Sequence, residues 1–131
     1  MISTKGRYAL RVLLDLAAHP DEGPVPLKDI AERQALSKKY LEIIVKDLVK
    51  SKLIKGTSGK GGGYLLTRAP QDYSVGEIIE LMEGSLSAVA CLAPDAEACP
   101  RAGQCKTLPL WREYDELVHN FFYNKKLTDL L

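Results

Sequence analysis

Three cysteines are the residues of this chain best suited to chemistry. Cys91, Cys99 and Cys105 lie close together, with seven and five residues between successive thiols. A secreted disulfide framework would usually have an even number of cysteines, spread along the chain. Nor is this the paired C-x2-C spacing of a zinc ribbon. Three thiolates on one flexible loop could hold an iron–sulfur cluster, with a fourth ligand from elsewhere. A thiol–disulfide switch, and three free thiols without a role, stay open beside it. His19 and His119 stand alone and read as surface or structural side chains. There is no Ser/His/Asp set and no catalytic pocket signature, so the chain reads as a non-enzyme.

The second group with chemistry to offer is basic. The net charge is only +1, but residues 38–68 hold Lys38, Lys39, Lys46, Lys50, Lys52, Lys55, Lys60 and Arg68 against Glu42 and Asp47 alone. That is either a footprint for a polyanion or a solvated lysine-rich face. The glycine run Gly59-Lys60-Gly61-Gly62-Gly63 within it is not a nucleotide phosphate loop. Such a loop ends in Lys-Ser/Thr and opens a helix, whereas a strand follows here.

The elements that would position these residues can be read from periodicity. Tyr8, Ala9, Val12, Leu13, Leu16 and Ala17 predict a helix over 4–18, ended by Pro20 and the turn at 21–24. Residues 27–35 predict a short second helix, and Ala35-Leu36-Ser37 a turn. Ser37 suits the N-cap of a third helix running to Lys50, with Leu41, Ile44, Val45 and Leu48 inward. Two short helices joined by a tight turn, the second basic outside, predict a helix-turn-helix. Strand-like Leu53–Gly56 and Gly63–Thr67, joined through glycines, predict a hairpin, which in this position reads as a wing.

Beyond the wing, Ser74-Val75-Gly76-Glu77 has capping-box spacing and opens a helix to about Met82. Residues 84–108 read as a loop carrying all three cysteines. Pro109 starts a long helix to about Asn124, with Leu110, Trp111, Tyr114, Leu117, Val118, Phe121 and Phe122 as its apolar stripe. That stripe is wide for so small a fold, so half of it is expected to pack across a two-fold axis, which also suits a protein reading a palindrome. The expected fold is mainly α with a small β-hairpin wing. Residues 1–68 form the winged helix-turn-helix, and residues 69–131 the cysteine loop and dimerisation helices, together in one compact domain.

The length of 131 residues suits one domain that needs no staples. No apolar run approaches the roughly 20 residues that span a bilayer, and the polar start is not a signal peptide. The expected place is the cytoplasm, without a membrane partner. The expected partner is double-stranded DNA. Ser37, Lys38, Lys39, Tyr40 and Glu42 would stand at base edges, with Glu42 giving selectivity. Lys46, Lys50, Lys60 and Arg68 would serve phosphates, with Ser58 and Gly61 beside Lys60 on the wing. A protein-interaction module, its basic helix docking an acidic partner, is the alternative.

Over almost its full length the chain also resembles the winged-helix bacterial transcription regulators of the IscR/CymR type. The resemblance is carried by Ser3 to Ala9, Glu22 to Leu27, Ser37 to Glu42, Gly61 to Leu66, Val75 to Ile79, Leu110 to Arg112 and Leu127 to Leu130. It implies a homodimer with crossed long helices and two winged helix-turn-helices, acting as a repressor or dual regulator. Because Cys91, Cys99 and Cys105 are present, it implies the iron–sulfur branch, with a [2Fe-2S] cluster favoured and [4Fe-4S] open. A thiol-based or cysteine-metabolism-sensing repressor without a cluster is the alternative within the resemblance. Two positions depart from the pattern. Leu108 stands where a histidine would complete the cluster, so the fourth ligand is open. Ser58 stands where the wing often carries arginine.

Overall fold

The computed structural model describes residues 2–131. Five α-helices and one hairpin follow in the order α1 (Thr4–Ala18), α2 (Leu27–Gln34), α3 (Lys38–Lys50), β1 (Ile54–Thr57), β2 (Gly63–Leu66), α4 (Val75–Glu83) and α5 (Leu108–Tyr123). Single 3-10 turns occupy Pro70–Asp72, Ala90–Leu92 and Leu127–Leu130. The architecture is mainly helical with an antiparallel two-stranded wing, as the periodicity predicts.

The departures have local causes. Helix α2 stops one residue short because Ala35 turns left-handed (φ 53°, ψ 46°) and its N–H closes onto the carbonyls of Ala31 and Glu32. The hairpin pairs Ile54 with Leu66 and Thr57 with Gly63, so Leu53 and Thr67 fall outside the ladder. Thr67 ties the wing base instead, its hydroxyl donating to the Lys52 carbonyl at 2.8 Å and its N–H to the Tyr73 hydroxyl at 3.0 Å. A further pairing leaves no periodic trace. Val25 exchanges two backbone hydrogen bonds with Tyr64, at 2.9 and 3.0 Å, and a single residue is too short to show alternation.

Helix α1 is the hub, packed on α2, α3 and α4. Its buried residues Ala9, Val12, Leu13 and Leu16 share one core with Leu41, Ile44 and Leu48 of α3, Ile78 and Met82 of α4, and Tyr73 and Leu127. Tyr73 is fully buried, and its hydroxyl donates to the Leu53 carbonyl at 2.6 Å. A buried hydroxyl without a partner would be costly; here it locks the wing base to the core. Asp15 is also buried. It accepts the forked Arg33 guanidinium at 2.6 and 3.0 Å and the Gln34 amide at 3.0 Å, fixing the end of α2 to α1. Burial pushes the Asp15 carboxyl up, but the Arg33 and Gln34 hydrogen bonds outweigh it and hold it below the ordinary aspartate value.

Helix α4 starts with half of the expected capping box. Ser74 Oγ accepts from the Glu77 N–H at 3.0 Å. The Glu77 carboxylate does not return to the cap; it takes the Arg68 guanidinium at 2.7 and 2.9 Å. A charged fork is the stronger partner. At Gly76, α4 meets α5 so closely that an added Cβ would lie 2.3 Å from the Tyr123 ring. Only glycine permits that approach.

Candidate nucleic-acid interface and cysteine loop

Helix α3 is held by α1. Lys5 of α1 pairs with Asp47 at 2.6 Å, the Thr4 and Tyr40 hydroxyls lie 3.2 Å apart, and the Tyr8 and Tyr40 rings meet edge to face at 5.6 Å. The Lys5 hydrogen bond and charge pull the Asp47 carboxyl below its ordinary value. This leaves one of the two acidic groups of the basic segment neutralised from α1. Lys38, Lys39, Glu42, Lys46 and Lys50 are all exposed.

Two expected base-facing groups are partly committed. Ser37 Oγ accepts from the Tyr40 N–H at 3.4 Å, so it caps the helix as expected and has less freedom to contact bases. Tyr40 is half-buried against α1. On the wing, Ser58, Lys60 and Gly61 are exposed at the tip, where Gly59 and Gly61 turn the chain with φ of 88° and 77°. Arg68 is a correction. It was expected at phosphate, but its guanidinium is engaged by Glu77 and lies over the Tyr73 ring, which makes it a structural tie between wing base and α4.

The sequence reading missed Ile43. It is 56% exposed and stands in one row with Lys39, Lys46 and Lys50, at steps of four, three and four. Helical spacing alone places Ile43 in this row; its apolar type sets it apart from the lysines around it. The reading also missed Glu83. Its Oε1 accepts from Ser3 N (2.9 Å), Ser3 Oγ (2.7 Å) and Gly6 N (3.2 Å), capping α1 from the end of α4. This long-range contact has no local signature.

The cysteine loop begins directly after Glu83. Cys91 lies in the turn Ala90–Leu92 and is exposed, as is Cys99; Cys105 is partly covered, and none is in a disulfide. The Thr107 hydroxyl, 3.4 Å from Cys105 Sγ, together with the backbone N–H groups of Thr107 and Leu108, holds that thiol below the ordinary cysteine value. Among the described residues no three His, Cys, Asp or Glu side chains stand together as a metal site. The donor chemistry suits an iron–sulfur cluster: three free thiols on one segment, one of them held below the ordinary cysteine value by its neighbours. The site is not preassembled, and closing it requires the loop to draw together. Leu108, where the resemblance expects histidine, is buried at the start of α5.

Helix α5 carries two apolar rows. Trp111, Val118 and Phe122 are half-buried, whereas Leu110, Tyr114, Leu117 and Phe121 are exposed. Tyr114, Leu117 and Phe121 of the exposed row line an apolar groove of about 600 Å³ together with Val118, Phe122 and Leu86. No helix is long and apolar enough to cross a membrane among the described residues.

A helix-turn-helix with a basic outer face, followed directly by a glycine-tipped wing, defines a winged-helix transcription regulator. The profile of the Rrf2 family, described as iron-dependent transcriptional regulator, matches residues 2–131, and the chain belongs to this family. It is 40% identical over 130 residues to the HTH-type transcriptional regulator IscR of Serratia proteamaculans, covering 99% of this chain and 78% of that one. Among solved structures it is similar to CymR, the global cysteine regulator of B. subtilis (TM-score 0.79, 38% identity, 99% and 95% of the two chains). It is equally similar to T. potens IscR (TM-score 0.79, 38% identity, 99% and 85%).

Proposed function

We propose that this regulator is a homodimer that binds a palindromic operator in the cytoplasm, and that its affinity is set by an iron–sulfur cluster held by Cys91, Cys99 and Cys105. The observation that carries the DNA reading is the exposed lysines of α3 followed in the chain by a hairpin with an exposed Lys60 at its tip. Lys38, Lys39 and Glu42 face base edges near the helix start, while Lys46, Lys50 and Lys60 take phosphates. Ser58 and Gly61 offer short groups and backbone N–H to the same strand. Ser37 and Tyr40 act first as cap and buttress, positioning Lys38 and Lys39.

When bound, an iron–sulfur cluster supplies a redox-labile link among three thiolates that are otherwise independent. Cys105 enters with its thiol already lowered. Leu108 offers no donor atom, so the fourth ligand is open; [2Fe-2S] is the expected form and [4Fe-4S] the alternative. The loop is joined to the DNA-binding face through Glu83. That carboxylate caps α1, and α1 in turn holds Tyr40 and Asp47 of α3. Ordering the loop changes DNA affinity only if it favours one pose of these contacts over another.

Anaerobic reconstitution followed by visible absorption, with DNA binding measured on the same sample, tests the reading. Cluster bands that vanish in a Cys91→Ser/Cys99→Ser/Cys105→Ser variant, with altered affinity, are expected. No bands in either protein would overturn the cluster reading while leaving the DNA reading intact. The lowered Cys105 thiol favours a second reading, a thiol–disulfide switch, which would then appear as reversible loss of free thiols coupled to affinity.

A further inference from the structure

Resting on the DNA-binding reading, we propose that Ile43 is a specificity residue of this regulator, reading the C5-methyl group of a thymine in the major groove. The isoleucine faces outward at 56% exposure, although the inner side of α3 is already filled by Leu41, Ile44, Val45 and Leu48. It therefore contributes little to the core. Among the described residues, Ile43 and Val49 are the only exposed large apolar side chains in residues 2–68. Scattered surface apolar residues are ordinary; position distinguishes this one. Lys39 precedes it by one turn and Lys46 follows by one turn on the same row, so any polyanion that meets these lysines meets Ile43 between them.

Isoleucine has no donor or acceptor for the polar edges of bases. In the major groove the group it can recognise is the thymine methyl, which adenine, guanine and cytosine lack. Contact there removes apolar surface from water on both partners. Its worth is about that of one buried methyl, roughly fourfold in affinity. Ile43 lies five residues beyond the helix start at Lys38, within the first two turns that a recognition helix presents to bases. Val49 is near the far end, is less exposed at 39%, and serves as the control.

The test begins with selection of a duplex from a random pool by the full-length protein. Each thymine of the selected site is then replaced, one at a time, by deoxyuridine, which lacks only the methyl group. Binding is measured at fixed salt for wild type, Ile43→Ala and Val49→Ala. One thymine per half-site is expected to lose about fourfold on replacement with wild type and Val49→Ala, and to show no difference with Ile43→Ala. Ile43→Ala should melt like wild type, since the position is exposed and alanine is the better helix former. Selected, salt-dependent binding with no uridine-sensitive position that depends on Ile43 overturns this proposal alone. Failure to enrich any duplex overturns it together with the DNA-binding reading.

Discussion

Lys60 and Glu42 are expected to do opposite things to DNA binding, and the difference follows from charge. Lys60 stands exposed at the wing tip, between two glycines in positive φ. Lys60→Ala should weaken binding to all duplexes alike and reduce the slope of log K against log salt by about one. Glu42 is repelled by phosphate but can accept from the amino group of cytosine. Glu42→Gln should change which base is preferred, at nearly constant salt slope, in competition assays with single-base operator variants. A uniform loss from Glu42→Gln would remove it from the base-reading set. The types of both residues were legible in the sequence, because charge and helical spacing are local. Arg68 was not: as a basic residue beside the wing it looked like a phosphate contact. Its partner Glu77 is nine positions away on α4, and nothing in the local pattern favours that ion pair over solvent.

At the scale of elements, helices and hairpin were legible because each carries its own period and caps, Ser37 and Ser74 among them. What escaped was how elements are tied together: Asp15 to Arg33, Glu83 to the start of α1, Tyr123 to Glu80. These ties predict a pH profile. Hydrogen bonds and charge from Arg33 and Gln34, from Lys5 and from Arg68 outweigh burial and hold Asp15, Asp47 and Glu77 below their ordinary values. Their contribution is therefore present above the unfolded carboxylate pKa of about 4 and is lost as pH falls through the folded values. Burial, with the Glu80 carboxylate beside it, pushes the Tyr123 phenol up to about 12. Its contribution is present below the unfolded value of about 10 and fades as pH rises towards 12. Urea midpoints should thus be flat near neutrality and fall at both ends. Tyr123→Phe should flatten the alkaline limb only, and Asp15→Asn the acid limb at the cost of lower stability at pH 7. An acid limb unchanged by Asp15→Asn would assign that limb to the other carboxylates.

For the whole molecule, the question is what covers α5. The row Leu110, Tyr114, Leu117, Phe121 follows helical steps of four, three and four and stays exposed, with Leu117 at 69%. A contiguous aliphatic and aromatic row of this kind, beside an apolar groove of about 600 Å³, is unlike the scattered apolar residues of an ordinary surface. A second copy of the same helix is the occupant we propose, since a two-fold interface matches one row to itself and would place two recognition helices on one duplex. Leu117→Asp tests this without touching the monomer core, because the side chain is mostly exposed and lies outside the core cluster. Sedimentation at micromolar concentration should give a dimer for wild type and a monomer for the variant. Far-ultraviolet circular dichroism should stay alike in the two. Operator affinity should fall by roughly 10²-fold or more, the loss of linking two half-site contacts. The binding of an isolated half-site should be almost unchanged, and this comparison separates assembly from recognition. If wild type sediments as a monomer while its operator binding is intact, the row on α5 has another occupant, and the palindrome expected of the operator goes with it.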